Sequence, residues 1–229
     1  MAARVRADEV RPGASLLKLA VVLALEEASA AGDLDAEQVV ARRDLPATRF
    51  PTLLAVLRPD HRLTLRELGG LVLATSDNPA ADHLLSVVGP ERLARLLADT
   101  GCLDTRLEAG FADAELGAAG RRNVTTADDI VRLFRRVHAE PAWRLVVTAL
   151  ASSVRNARLP LLLPDGLVVA HKTGTLAGVA NDAGILYGQG VDLVVAVLTD
   201  AQPDPPRTNL AIGELARDVW AALGEPVER

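Results

Sequence analysis

The chain has little cysteine, histidine or aromatic residue, and each shortage excludes a class of protein. The single cysteine, Cys102, excludes an internal disulfide and a thiolate metal cluster, and we interpret it as a small buried apolar residue. The four histidines (His61, His83, His138 and His171) show no metal-ligand spacing, so we expect neither metal nor cofactor. Aromatic residues make up 3% of a chain that is 49% hydrophobic, so its sizeable core must be aliphatic.

Runs of basic residues and long apolar runs are also absent. With a net charge of −5, the lack of a basic run argues against nucleic acid as the partner. No segment reaches the roughly 18 apolar residues of a membrane span. The first residues, MAARVRADEVRPG, contain no apolar stretch of the kind that a secretion signal needs. We therefore expect a cytoplasmic protein with a small-molecule substrate, or a secreted one if translation starts further upstream.

Lysine is the scarcest of the charged residues. Of the 25 lysines and arginines, only Lys18 and Lys172 are lysine. Arginine stays protonated in proteins, whereas a buried lysine can lose its proton and act as a base. Each lysine also lies in a short motif, Ser15-Leu-Leu-Lys18 or Lys172-Thr-Gly-Thr175. This placement indicates a function that needs an amine at both positions.

The hydrophobic pattern predicts a helical middle followed by a small antiparallel sheet with a helix over it, in one domain of the α/β class. Residues 101–123 show little periodicity and are interpreted as a long loop, a length that is often functional. A short extended piece is expected at 38–45. Helices are predicted at 14–31, 64–74, 79–88, 90–99, 126–139, 141–154 and 207–223, and strands at 167–171, 183–187 and 191–199.

Ser15 and Lys18 can work together as nucleophile and base. They are three residues apart at the start of a helix, so they face the same side. Ser15 lies in the first turn, where the helix dipole favours a developing negative charge. A serine hydroxyl needs a base to remove its proton. Lys18 can be that base if burial lowers its pKa.

Ser76-Asp77-Asn78 has two interpretations. Ser76 could pass a proton to a leaving group, and Asn78 could bind a substrate amide through its side-chain amide. The same residues before Pro79 also form an ordinary helix cap.

The motif that begins at Lys172 suits a strand that borders a site. Gly174 lacks a side chain, so another segment or a substrate can approach closely. Lys172 would supply positive charge near Ser76, and Thr173 or Thr175 could hold an anionic group. The backbone N–H groups of Ser15 and Thr175 could together form an oxyanion hole.

Taken together and in this order, the three motifs resemble those of the penicillin-recognising serine hydrolases, nearest to class A β-lactamases. The similarity extends over about residues 5–223 and includes PGASLLKL, TSDNPAADHLL, GCLDTRLE, RRNVTTADDI and AHKTGTLAGVANDAGILY. It implies a two-lobe fold, β-lactamase/transpeptidase-like, with the site in the cleft between the lobes. The all-helical lobe would span about residues 14–160, and the α/β lobe about 1–13 plus 161–229.

The resemblance also implies roles for individual residues. Ser15 would be the acylated nucleophile, Lys18 its base partner and Ser76 the proton relay. Asn78 would be a substrate ligand. Lys172 and Thr173 would form the electrostatic anchor.

This sequence departs from the class A pattern in the loop that carries the water-activating glutamate. The family's Glu-x-x-Leu-Asn element has no full counterpart here. Aligning Glu115 with its second acidic position puts Asp113 at the water-activating position, and Gly117 replaces the asparagine. Glu108 is a further candidate, and the alternative is that all three carboxylates are solvated loop residues. We expect intact acylation with impaired or differently organised deacylation, because a misplacement of about 1 Å can cost ~100-fold in rate.

Two other departures concern the substrate carboxylate and the N-terminus. The second strand, Asn181-Asp-Ala-Gly184, offers no arginine, and Asp182 would repel a carboxylate if it pointed inward, which would lower the affinity for β-lactams. The family has a helix and two strands before its serine helix, whereas residues 1–10 suffice here for about one strand, and residues 3–7 alternate as a strand does. An open sheet edge would follow, and we expect a homodimer or marginal solubility.

The prediction is therefore a serine hydrolase that acts through an acyl-enzyme on Ser15 and is β-lactamase-like, whether weak or efficient. One alternative is a D-alanyl peptidase, esterase or transacylase with another small acyl substrate. A second is a receptor that is acylated without turnover. The third is an inactive relic of the fold, which the placement of both lysines disfavours.

Overall fold

One helix forms the centre of the molecule, whose computed structural model describes residues 3–111 and 122–223. It opens with a 3₁₀ turn at Ala14–Leu17 and continues as α1, Lys18–Ala30. Almost every residue of α1 is buried, including Lys18, because the other helices surround it. Gly32 follows its end with φ +78°, a conformation that glycine adopts without strain, as the predicted stop at this residue requires.

Helix α2, Leu65–Thr75, begins at the predicted capping box. Glu67 N donates to Thr64 Oγ1 at 3.0 Å, and Thr64 N donates back to Glu67 Oε2 at 2.7 Å. The helix ends at Ser76, which is left-handed with φ 64°.

Helix α3, Asn78–Asp99, contains both helices predicted for this stretch. Asp77 caps it and Pro79 lies in its first turn. Gly89, at φ 74° and ψ 161°, interrupts the helical backbone just before Pro90, so the predicted boundary between the two helices is a kink.

The remaining helices lie close to the predicted positions. They are α4 at Ala127–Ala139, α5 at Arg144–Ala151 and α6 at Pro205–Leu223. Short 3₁₀ turns occur at 42–44, 53–56, 141–143 and 159–162. Among the described residues, no helix combines the length and apolarity needed to cross a membrane.

The predicted C-terminal sheet consists of three antiparallel strands in chain order. They are β5, Val168–Leu176, β6, Val179–Tyr187, and β7, Asp192–Val197. The register pairs Lys172 with Ala183 and Thr173 with Asp182. Helices α4 and α6 pack on the sheet, and alternate residues of β7 contribute to two separate apolar clusters.

Two short ribbons complete the architecture. Arg11–Pro12 (β1) pairs with Val124–Thr125 (β4), and Val39–Ala41 (β2) pairs with Arg62–Thr64 (β3).

The strand predicted within residues 3–7 is wrong. Arg6 has φ 50°, and Glu9 N donates to Arg6 O at 3.3 Å, which closes a turn. The Arg6 guanidinium also contacts the Glu9 carboxylate at 2.6 Å. A local ion pair and the lack of an apolar face explain why the alternating residues form no strand. In the part of the chain that the structure describes, β7 therefore pairs with β6 alone.

Candidate functional site

Ser15 lies on a turn that is tied to two other parts of the chain. Gly13 N donates to Asn123 O at 2.7 Å, just before β4. On the other side, Asn181 Nδ2 on β6 donates to Pro12 O at 2.8 Å. These contacts fix the approach of the chain to Ser15, which is half-buried.

Gly174 lets this turn pack directly on the sheet. A Cβ atom at position 174 would lie 2.9 Å from Gly13 O and 3.1 Å from Ala14 Cβ. Ala14 has φ 48°, an uncommon conformation for a residue with a side chain. The close approach predicted at Gly174 therefore brings Ser15 beside the strand that carries Thr175.

Lys18 joins the first two motifs. Its ammonium donates to Ser76 O at 2.7 Å, to Ser76 Oγ at 3.3 Å and to Asn78 Oδ1. The ring of Phe111 lies 5.0 Å from Lys18 Nζ and helps to cover it. The side chains predicted to share one site at Lys18, Ser76 and Asn78 are thus in contact.

The cap interpretation of the second motif is also correct. Asp77 is 3% exposed, and its Oδ1 accepts a hydrogen bond from Ala80 N at 3.0 Å. Its Oδ2 accepts from Thr52 Oγ1. Asp77 therefore caps α3, while the left-handed Ser76 turns its carbonyl and hydroxyl toward Lys18.

Burial gives Lys18 the protonation behaviour of a base. It lowers the Lys18 pKa to about 7, against the opposing influence of Asp77 and Asp82. A substantial fraction of the amine is unprotonated at neutral pH. Among the described residues, no hydrogen bond joins Ser15 to Lys18, and such catalytic contacts often tighten only when substrate binds.

Lys172 is buried in different surroundings. It is 1% exposed, and its ammonium donates to Thr173 O at 3.0 Å. Its pKa lies well below the ordinary value, because of burial first and then the charges of Lys18 and Arg155. An anionic ligand beside Lys172 would stabilise its charged form.

Arg158 lies at the site and was not found from the sequence. It is 7% exposed and donates to Gly174 O at 3.0 Å, Asn181 O at 2.6 Å, Thr175 Oγ1 at 2.8 Å and Asn209 Oδ1 at 2.8 Å. An arginine was expected on the second strand, whereas Arg158 lies just before the 159–162 turn that precedes β5. The only sequence feature that pointed to Arg158 was its position beside the apolar run LPLLL.

The expectation that Asp182 would repel a substrate carboxylate is not supported. Asp182 is fully buried, and its carboxylate contacts His171 Nδ1 at 2.9 Å and accepts from Leu159 N at 3.0 Å. Because adjacent strand residues point to opposite faces, His171 lies on the face opposite Lys172, as predicted. Its Nε2 contacts Asn156 Oδ1 at 3.0 Å.

Of the three candidate loop carboxylates, Asp113 and Glu115 lie outside the described residues. Glu108 is exposed and lines a groove with Leu85, Leu93 and Leu97, none of which belongs to the three motifs. The loop approaches the site at Phe111, whose N donates to Asp82 Oδ1 at 2.6 Å.

Cys102 is buried, as predicted. Its Sγ contacts Asp129 O at 3.3 Å, and burial raises its pKa to about 12. A thiol with such a pKa is unreactive at neutral pH.

Comparisons with known proteins agree with this geometry. Residues 2–223 match the model of the Beta-lactamase enzyme family. The Beta-lactamase regulatory protein BlaB of Streptomyces cacaoi is 26% identical over 272 residues, covering 95% of this chain and 87% of that protein. The extended-spectrum β-lactamase PER-1 of Pseudomonas aeruginosa is 28% identical over 222 residues, covering 88% and 71%.

A solved structure shares the fold as well. A mutant of PBP-A, in an acyl-enzyme complex with penicillin G, has a TM-score of 0.83 and 25% identity, covering 96% of this chain and 84% of that one. With the three motifs in order and a family match over residues 2–223, the chain belongs to the β-lactamase enzyme family and is class A-like.

Proposed function

We propose that this protein is a serine hydrolase of the class A type, which opens the amide of a β-lactam through an acyl-enzyme on Ser15. One observation carries the proposal. The Lys18 amine is fully buried, is hydrogen-bonded to Ser76 and Asn78, and has its pKa lowered to about 7. A buried amine near its pKa at neutral pH is poised to accept and return a proton.

In the proposed acylation four residues take part: Ser15, Lys18, Ser76 and Thr175. Ser15 Oγ attacks the carbonyl carbon, and its proton passes to the unprotonated Lys18 Nζ. The carbonyl oxygen becomes an oxyanion, for which the N–H groups of Ser15 and Thr175 are the proposed donors. As the C–N bond breaks, the nitrogen takes a proton from Ser76 Oγ, which is resupplied from Lys18 at 3.3 Å. The product is an ester on Ser15.

Deacylation requires a water molecule and a base. Water adds to the ester carbonyl and loses a proton, the C–O bond to Ser15 breaks, and the serine regains its hydrogen. Asp113 or Glu115 is the proposed base. With Asp113 as the base, its shorter side chain makes this step the slower one. Overall, one water molecule is added across the amide.

The test is intact-protein mass measured after mixing with a chromogenic cephalosporin, with absorbance followed in the same tube. Rapid colour without a lasting adduct would establish turnover. A stable adduct on Ser15 with little colour would indicate an acylated receptor or a protein whose natural substrate is another acyl compound. Neither colour nor adduct would reject β-lactams and direct the search to small esters and amides. Ser15→Ala is the control, and it should show neither signal.

The loop assignment has a separate test. Asp113→Ala or Glu115→Ala should leave the adduct forming at the wild-type rate and slow its disappearance. Glu108→Ala is the matched control, because Glu108 lies in another groove. If both loop variants turned over substrate like wild type, neither carboxylate would be the base.

We also propose a homodimer through β7. The strand DLVVAV carries one charge, at its first residue, and contains no proline or lysine to block a further strand. Its Val194 packs against the main core and its Val195 against the small cluster under α6, so both faces of the strand are apolar.

Helix α6, which packs on β7, presents an exposed apolar stripe. Leu215 and Leu223 are 45% and 39% exposed, and with the half-buried Val219 they recur every four residues. This stripe lies away from the 159–162 turn, which packs on Gly213. Leu215→Glu should shift the protein from dimer to monomer in light scattering. Leu210→Glu is the matched control, because Leu210 is 44% exposed but lies about 140° around the helix. A monomeric wild type would reject this proposal.

A further inference from the structure

An aromatic ring helps to seal the Lys18 amine from solvent. The hydrogen bonds of this amine run to Ser76 and Asn78, between α2 and α3. From the loop before β4, the centroid of the Phe111 ring lies 5.0 Å from Lys18 Nζ. Phe111 is 4% exposed and Lys18 is 0% exposed. The proposed base is therefore covered by an apolar group where the loop meets the site.

The backbone that carries this ring is held by hydrogen bonds. Asn123 Oδ1 accepts from Glu108 N and from Ala109 N, both at 2.9 Å, and Asn123 Nδ2 donates to Ala109 O at 2.9 Å. Phe111 N then donates to Asp82 Oδ1 on α3 at 2.6 Å. The position of the ring over Lys18 is thus fixed by the loop and by α3.

The ring also limits what Lys18 can do after acylation. In the proposed cycle the amine then holds no proton, because it has passed one through Ser76 to the leaving nitrogen. With a pKa of about 7, it could accept a proton from water as it does from Ser15. A water molecule bonded to Nζ beneath the ring would stand about 2.8 Å from it, inside the contact distance of the ring carbons of Phe111.

We propose that Phe111 prolongs the acyl-enzyme by keeping the hydrolytic water away from Lys18, so that Lys18 serves acylation alone. Deacylation is then left to the slower base, Asp113 or Glu115. This inference rests on the proposed function for the acyl-enzyme.

Removal of the ring would open a second route for deacylation. The Lys18 amine and the Asp82 carboxylate border the ring and would give a water molecule the polar partners that it needs. That water would add to the ester carbonyl and give a proton to Lys18 Nζ. The C–O bond to Ser15 would break, and Ser15 Oγ would take the proton back. The products are free Ser15 and a carboxylic acid, which loses its proton to solvent.

The first test follows the benzylpenicillin adduct on Ser15 by intact-protein mass. Phe111→Ala and Phe111→Ser should form the adduct at the wild-type rate and lose it about 10²-fold faster, the lower end of what a general base contributes. Phe111→Leu keeps an apolar cover and should restore most of the wild-type lifetime. Leu103→Ala is the control, because Leu103 lies in the same loop but is 77% exposed.

The second test needs no acylation, because the chain contains only two lysines. Reductive methylation with formaldehyde and cyanoborohydride labels accessible amines, and peptide mass mapping locates the label. Lys18 should stay unlabelled in wild type and in Phe111→Leu, and should become labelled in Phe111→Ala. Lys172, which is 1% exposed on β5, is the internal reference, since its labelling would reveal unfolding instead.

Three results would overturn the proposal. Lys18 could be labelled in wild type as fast as in Phe111→Ala, or it could become accessible there without any change in adduct lifetime. The third is a fast loss of the adduct in Phe111→Ala that disappears when Asp113→Ala and Glu115→Ala are added, because the base would then be a loop carboxylate. If wild-type Ser15 forms no adduct but the labelling differs as expected, the proposed function fails and the exclusion of water from Lys18 stands.

Discussion

The helical wall and the sheet wall of the cleft each bury one lysine, yet they surround it differently. Lys18 has three oxygen acceptors from Ser76 and Asn78, with the carboxylates of Asp77 and Asp82 close enough to raise its pKa. Lys172 has one main-chain acceptor, and the charges that act on it are mostly cations.

This difference separates the roles of two identical side chains. Opposing effects of burial and carboxylates leave the Lys18 pKa at about 7, where a proton can be exchanged in either direction. At Lys172 burial and neighbouring cations act together, so the group gains most from an incoming anion. We therefore propose that Lys18 transfers the proton and that Lys172 binds the substrate.

The largest effect should come from Lys18→Arg. Arginine cannot act as a base at neutral pH, so the rate of Ser15 acylation should fall by about 10²–10⁴-fold. Stopped-flow absorbance with a chromogenic cephalosporin measures this rate.

Lys172→Arg is the matched comparison, because it keeps the positive charge on the other wall. It should weaken substrate binding, seen as a higher KM, with a smaller change in the acylation step. If both variants lost acylation equally, the two lysines would not have separate roles.

Gly174→Ala should have the next largest effect. The added methyl group would meet Gly13 O at 2.9 Å and Ala14 Cβ at 3.1 Å, so the turn that carries Ser15 must move. A displacement of about 1 Å costs roughly 100-fold in rate. Circular dichroism and the acylation rate, measured together, separate misplacement from unfolding.

Gly70→Ala provides the contrast on the helical side. Position 70 lies within α2, and nothing lies within 4 Å of an added Cβ. This variant should keep its activity and gain about 0.5–1 kcal/mol of stability, since alanine favours helix. Normal activity in Gly174→Ala would show that the close packing does not position Ser15.

The sequence predicted the helical wall more fully than the sheet wall. Local signals suffice for the helical side, where Thr64 and Glu67 cap α2 and Lys18 lies three residues after Ser15. The role of Arg158 depends instead on contacts with β5 and β6 that are distant in sequence. For the same reason Asp182 was misinterpreted, because its partner His171 is across a strand pair. The turn formed by Arg6 and Glu9 depends on one ion pair, which the alternating pattern of residues 3–7 does not reveal.

The pH dependence of acylation should report on Lys18. Only its unprotonated form can accept the Ser15 proton, so kcat/KM should rise about tenfold per pH unit below pH 7 and level off above it. Since the Arg155 charge lowers the Lys18 pKa, Arg155→Gln should move this limb to higher pH. A wild-type rate that continued to climb beyond pH 9 would mean that Lys18 keeps its ordinary pKa.

Lys18→Met should lose activity and slightly gain stability. The Lys18 pKa is about 7 in the folded protein and 10.5 ordinarily, so between these values the unfolded chain binds more protons. Lys18 therefore disfavours folding most at or below pH 7, and this cost disappears as pH rises to 10.5. Loss of a donor to Ser76 O and Asn78 Oδ1 offsets part of the gain, which leaves about 1–3 kcal/mol at pH 7.

Urea unfolding of Lys18→Met and wild type at pH 7 and pH 10 measures this gain and its pH dependence. The gain should shrink at the higher pH. Lys172→Met should also be more stable than wild type at pH 7, because burial lowers the Lys172 pKa in the same direction. A gain that is equal at both pH values would reflect better packing alone. Such a result would show that the buried amines of Lys18 and Lys172 do not lower the stability of the folded protein.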